Sequence, residues 1–431
     1  MKTCNLYHGA FRVFCLFFFL ESLSFLNGCG PSERLTFMVG GAPNEISCWE
    51  KVLADFALET GIKVDLIRQT TDSDQRKQGI LLALRGKNAD PDVMLLDVGW
   101  IGQIAASEWL EPLESHGIDG SAFFPSVVRL ADTYKGRLIG LPLYVDGGLL
   151  YFRKDLLEKH GFPSSPTSWD NLKICAKTIQ DKERAGNPNF WGFVWQGAQY
   201  EGLTCNALEY FVSAGGGFID EKGSPIFDSA ANLKALTFMT SLIQTDKISP
   251  PNTFTDMKEE EVRQVFHQGN ALFERNWPYA WSLHQTAGSP VRGKVGLTCL
   301  PGFDNLEGAS TLGGWHIVIS RFSDRKKDAA AFVTFVTSSL LQKRFSLELG
   351  WNPGRMSVYD DADVLEKNPA LGALKQAFLN AVPRPGLPCY SEMSLILQKY
   401  INGALSGNLA PQIALQTTQK EVEEVLKEYE P

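Results

Sequence analysis

The chain has 431 residues, more than one hydrophobic core usually serves, so two domains are expected. Its 44% apolar and 21% charged residues are those of an ordinary soluble globular protein. A formal charge of −8 and a pI near 5.4 argue against nucleic acid and against a polybasic membrane-binding surface.

The N-terminus reads as an export signal. Lys2 and Arg12 precede the apolar run Val13 to Leu20, too short to span a bilayer, and the stretch ends on Leu26-Asn27-Gly28-Cys29. L-N-G-C resembles a bacterial lipobox, so residues 1–28 are expected to be a lipoprotein signal peptide and Cys29 the lipidated first residue. A plain secretory signal with an incidental Cys29 is the alternative. Cys48, Cys175, Cys205, Cys299 and Cys389 then remain, an odd number without CxxC spacing, and buried, inert thiols are expected. The six histidines show neither HExxH nor a Cys/His cluster, so neither a metal site nor a cofactor is expected.

Arg34 to Val39 alternates and runs into Gly40-Gly41, which predicts a strand and a turn. Glu45 to Glu59 carries Ile46, Trp49, Val52, Leu53 and Phe56 at helical spacing, Lys63 to Arg68 reads as a second strand, and Asp72 to Leu84 as a second helix. Pro91 to Asp97 is a buried-type strand ending on a carboxylate. This β-α-β-α-β alternation predicts an α/β layer with a largely parallel sheet, whose ligands collect at the carboxyl ends of strands. Leu138 to Asp146 is an extended run with an interior proline. Leu149 to Arg153 is a strand leading into a helix, and Ser168 is a helix cap. Residues 226–268 are mostly helical, extended segments return at 294–300 and 315–320, and 328–429 is helical. Lys258 to Glu261 and Arg325 to Lys327 read as solvated helix faces.

Three segments share one chemistry. Leu141 to Gly148 carries Tyr144 and Asp146, ERNWPYAW (274–281) carries Trp277 and Tyr279, and TLGGWH (311–316) sets Trp315 behind two glycines. Aromatic rings cover the apolar faces of a sugar while Asp, Glu and Arg fix its hydroxyls. Each residue also has a plainer reading. Asp97 and Asp146 could cap strand ends, Trp315 could be hinge packing, Trp277 could be core, and Glu45 could complement a helix dipole. Trp281 reads mainly as packing behind the wall, and Trp100, Trp191, Trp195 and Trp351 as core.

The segments GGAPNEI, RQTTDSDQR, DPDVMLLDVGW, GLLYFRKDLLEKHG, NPNFWGFVWQG, YEGL, KISPPNTFT, ERNWPYAW, TLGGWHI, LGWNPGR and AVPRP occur in this order between Gly40 and Pro385. With them the chain is similar to the extracytoplasmic solute-binding lipoproteins of carbohydrate ABC importers, and among these resembles the trehalose/maltose-binding proteins. The resemblance implies a two-lobed, periplasmic-binding-protein-like α/β fold with a multi-segment hinge, lobe 1 being 29–143 plus 302–350 and lobe 2 being 144–301 plus 351–431. It implies a non-catalytic, monomeric protein, lipid-anchored through Cys29 outside the cytoplasm. Such a protein captures trehalose or maltose between its lobes and hands it to an ABC permease. Carried over residue by residue, Glu45, Thr71, Arg76 and Asp97 are first-lobe contacts, and Tyr144 and Asp146 lie near the first crossing. Trp277 and Tyr279 come from the second lobe, Gly313 and Trp315 follow a further crossing, and Arg384 completes the set as a donor. The alternatives are a binding protein for another oligosaccharide or polyol, and a secreted glycoside hydrolase using two of the carboxylates.

Overall fold

The computed structural model of the protein describes residues 34–368, 371 and 381–429. Cys29 and the signal segment lie outside these.

Two sheets organise the chain. The first has the order β2-β1-β3-β11-β6, formed by β1 (Leu35–Gly40), β2 (Val64–Gln69), β3 (Val93–Asp97), β6 (Leu141–Gly147) and β11 (Leu312–Ile319). The second has the order β10-β7-β9-β8, formed by β7 (Leu149–Arg153), β8 (Trp191–Val194), β9 (Ala271–Asn276) and β10 (Val295–Cys299). A small ribbon of β4 (Thr133–Tyr134) and β5 (Arg137–Leu138) stands apart.

β1 is buried along its whole length, as a strand covered on both faces must be, which is why LTFMVG is continuously apolar rather than alternating. It pairs in parallel with β2 and β3. β11, in contrast, is antiparallel to both β3 and β6. The β1–β3 layer is parallel as expected, and the sheet as a whole is mixed only because β11 re-enters from the second sheet and runs the opposite way. The extended run expected over Leu138 to Asp146 is split: β5 ends at Leu138 and β6 begins at Leu141. Pro142 lies opposite His316, where the β11–β6 register shifts. A proline cannot donate to the ladder, and an irregularity at that position removes the need.

The helices start for legible reasons. Pro43 opens Pro43–Thr60 at the first helical turn, and Glu45 reaches back to accept from the Ala42 N–H at 2.6 Å. Asp72 and Ser168 cap Ser73–Arg85 and Trp169–Glu183, accepting from the amides of Gln75 and Asn171. Trp49, Val52, Leu53 and Phe56 are buried on one face of the first helix, and Trp49 packs edge-on to Phe37 of β1. In the second sheet's half, Tyr390–Leu405 and Pro411–Glu428 pack on each other and on Ala230–Gln244.

The chain changes sheet between Gly147 and Leu149 and again between Cys299 and Leu312. Two departures from expectation sit at the surface and the cleft. Cys48, Cys175, Cys205 and Cys389 are buried free thiols, but Cys299 is exposed at the end of the strand β10. The Lys258–Glu261 run is not a simple solvated face: all four residues line the cavity between the sheets, described next.

Candidate functional site

A cavity of about 530 Å³ lies between the two halves, a size usual for small-molecule sites. Glu45, Thr71, Arg76, Asp97, Tyr144, Asp146, Trp277, Tyr279, Gly313, Trp315 and Arg384 all line it. Residues from positions 45 to 384 thus converge on one space, although most of the chain separates the extremes.

The aromatic wall is built from β9 outward. Asn276 ends the strand and its Oδ1 accepts from the Trp277 amide at 2.8 Å, while Tyr151 donates to the Trp277 carbonyl, also at 2.8 Å. The Arg275 guanidinium lies against the indole, its carbon 4.0 Å from the ring centroid. That guanidinium is itself buried and forked onto Glu209, and its Nη1 donates to Gln196. From the other side, a Cβ on Gly313 would come within 2.8 Å of the Trp277 ring, and one on Gly314 would meet the Tyr144 carbonyl. Gly314 also has φ of +121°, a region open chiefly to glycine. The bare backbone of TLGGWH is thus needed for Trp277 and Tyr144 to fit, whatever occupies the cavity. Tyr279 donates its hydroxyl to Glu260 at 2.7 Å, and Arg263 braces that carboxylate from within the same helix.

The opposite wall is polar and charged. Arg76 lies flat on Trp315, 3.3 Å from the ring centroid, and Trp100 meets the same indole edge-on at 5.3 Å. Burial pulls the Arg76 pKa down to about 10. Trp351, expected as core, is buried but also donates to Glu45 Oε1 at 2.8 Å and stacks on Tyr144 with centroids 4.2 Å apart. Arg384, expected as a free donor, is committed: it pairs with Asp97 at 2.6 Å and with Glu201 at 2.7 Å, and so ties β3 to the helix Glu201–Ser213. Glu201 also accepts from Ser394 at 2.6 Å and from Tyr390.

Sequence reasoning missed Glu201, although the segment YEGL that contains it stood out, and it missed the Lys258–Glu261 turn. Lys258 forms an ion pair with Asp72, joining the start of the helix Glu259–His267 to the cap of Ser73–Arg85 across the cleft. A run of four charges at a helix start carries no local mark that separates a cleft wall from a solvated face. Among the described residues the lining holds nine carboxylates (Glu45, Asp72, Asp97, Asp146, Glu201, Asp256, Glu259, Glu260, Glu261) against three cations (Arg76, Lys258, Arg384). The imbalance is felt at Asp146. Burial, then the nearby Glu45 charge, pushes its pKa up to about 8, with Arg275 opposing.

Two α/β halves with a polar-aromatic cavity between them define a two-lobed ligand-binding protein. The chain belongs to the bacterial extracellular solute-binding proteins, whose family profile matches residues 42–342. It is 37% identical over 368 residues to a probable ABC transporter-binding protein of Deinococcus radiodurans, covering 84% of this chain and 87% of that protein. The solved structure of maltose-bound T. maritima MalE3 superposes with a TM-score of 0.87 at 38% identity, over 91% of this chain and 99% of the other. A solute-binding protein from Thermotoga lettingae with bound α-D-tagatose gives 0.83 at 28% identity, over 92% of this chain and all of that one, 100%. The fold is thus the two-lobed solute-binding fold of an ABC transporter family, whose members are transport components and not enzymes.

Proposed function

We propose that the protein captures a disaccharide, trehalose or maltose, in this cleft and delivers it to an ABC importer. The observation that carries the proposal is the meeting of Trp277 and Tyr279 with Glu45, Arg76, Asp97 and Asp146 on one cavity. Rings from one half offer apolar faces, and fixed charged groups from the other offer strong hydrogen bonds to hydroxyls. The likeness to a maltose-bound structure at 38% identity supports the choice of sugar. In this reading the eleven residues expected from sequence are ligand contacts, except that Arg384 acts first to hold Asp97 and Glu201. The first lobe boundary, expected at 143/144, falls after Gly147 where the chain changes sheet, the others lie near 301/302 and 350/351, Cys29 carries a lipid anchor, and the monomer works on the extracytoplasmic side of the membrane.

A second reading, a monosaccharide or polyol ligand, is favoured by the tagatose-bound relative. Calorimetric titration with maltose, trehalose, tagatose and mannitol decides between them. The expected result is micromolar binding of a disaccharide, about −8 kcal/mol, and binding of the smaller ligands at least about tenfold weaker. Tighter binding of tagatose or mannitol would replace the first reading by the second, and no saccharide binding would remove both.

A further inference from the structure

This inference rests on the saccharide-cleft reading and concerns which saccharides the cleft admits. Two of the three cations on the lining are held in ion pairs, and the third, Arg76, rests on an indole. Arg384 reaches Asp97 and Glu201, Lys258 reaches Asp72, and Arg76 lies on the face of Trp315. The carboxylates are not all matched. Asp146 is 7% exposed, lines the cavity, and has no ion-pair partner among the described residues. Arg275, whose charge acts on it, sends its nitrogens to Glu209 and Gln196 instead. Glu45 accepts from the Ala42 amide and the Trp351 indole, both neutral donors. At the rim Asp256 and Glu261 are exposed and add further negative field.

We propose that the cleft selects saccharides by charge, taking neutral ones and those that carry an ammonium group and turning away those that carry an anionic group. An ammonium brings donors to carboxylates that have no cation of their own, and the low-dielectric cavity strengthens that attraction. An anionic group finds only Arg76 without a carboxylate partner, its guanidinium lying on Trp315, against nine carboxylates on the same lining. Any further cation it would have to take from the Arg384 or Lys258 pair, leaving a cleft carboxylate unmatched, and it must first pass the acidic rim. One chemical consequence separates this from simple tolerance. Because burial and Glu45 push Asp146 up to about 8, its carboxyl holds a proton at pH 7. An ammonium seated beside it forms the ion pair with the carboxylate, and the displaced proton goes to the buffer. Asp97 acts in the same direction as Glu45, and Arg275 opposes both.

The test takes whichever parent sugar binds in the titration above and replaces a terminal hydroxymethyl group, at either end, by aminomethyl or by carboxylate. These replacements differ little in size and span one unit of charge each way. The aminomethyl form is expected to bind at least about tenfold more tightly than the carboxylate form at the same end. Its binding at pH 7 should release a proton, read as a dependence of calorimetric heat on buffer ionisation enthalpy, and Asp146→Asn should abolish that release. Neutralising the rim with Asp256→Asn and Glu261→Gln together should narrow the gap and weaken its dependence on salt. A gap below tenfold at both ends, with the parent sugar still bound, overturns the charge selection and leaves the saccharide reading standing. Absence of binding by every parent overturns both.

Discussion

Trp277 is held on several sides before any ligand arrives: by the Arg275 guanidinium, by the bare backbone at Gly313, and by hydrogen bonds to its own amide and carbonyl. A ring fixed in this way loses little rotamer freedom on binding, so most of its contact area is realised as affinity. Trp277→Ala should therefore cost about 2 kcal/mol or more of sugar binding, roughly thirtyfold in Kd, as central aromatic anchors do. Titration calorimetry reads it, and unchanged affinity would show that the sugar does not touch this ring. Asp146 makes a different prediction, about stability. Its folded pKa of about 8 lies above the ordinary aspartate value of 3.8, so the native protein keeps a proton that the unfolded chain has lost. That contribution is full below pH ~4 and is lost as pH rises through about 8, because the native state then has to bury the charge. Asp146→Asn has no such proton to lose. The variant's melting temperature should gain on the parent protein's between pH 5 and pH 9, and a constant difference across that range would contradict the burial argument.

At the scale of elements, Glu209 of the helix Glu201–Ser213 pins β9 through Arg275, with both side chains 1% exposed. Gly148 makes room for this pair, since a Cβ there would strike the Glu209 carboxylate. Removing one partner of such a pair leaves the other charged and buried, so Glu209→Ala should lose about 3–5 kcal/mol in denaturant unfolding. It should also loosen Trp277, whose ring rests on Arg275. Nothing in the local sequence announces this pair, because its members are 66 positions apart. The elements themselves were legible where a local rule decides them: the caps at Asp72 and Ser168, the apolar run of β1, and the periodicity of the helix at Trp49. The direction of β11 was not, since strand sense follows from where the chain has come from. For the site, residue type and motif order brought all eleven residues to one cavity. What stayed hidden was their commitment to one another: Arg384 to Asp97 and Glu201, Tyr279 to Glu260, Glu45 to Trp351. Such pairings depend on distances that tertiary packing alone sets.

At the scale of the whole molecule, binding between two lobes implies an equilibrium between an arrangement in which the cleft walls meet and one in which they part. Only contacts made across the cleft favour the first, and the ion pair of Lys258 with Asp72 is one of them. Its members sit at the starts of two helices, one packed with each sheet, so separating the walls must break it. The lysine side chain is 36% exposed and the aspartate 18%, so water screens the pair and its worth is about 0.5–1 kcal/mol rather than several. Lys258→Gln should therefore weaken sugar binding by roughly two- to fivefold, mostly through faster dissociation, because the pair exists only after closure. Asp72→Asn should do the same while the helix Ser73–Arg85 stays capped, since asparagine caps as well as aspartate does. The double variant should lose no more than either single one, and the ligand-free protein should expand slightly in small-angle scattering. Losses that add in the double variant would mean that each residue acts separately, through the helix start or the ligand, and that closure is held elsewhere, with Arg384 between Asp97 and Glu201 the next place to test.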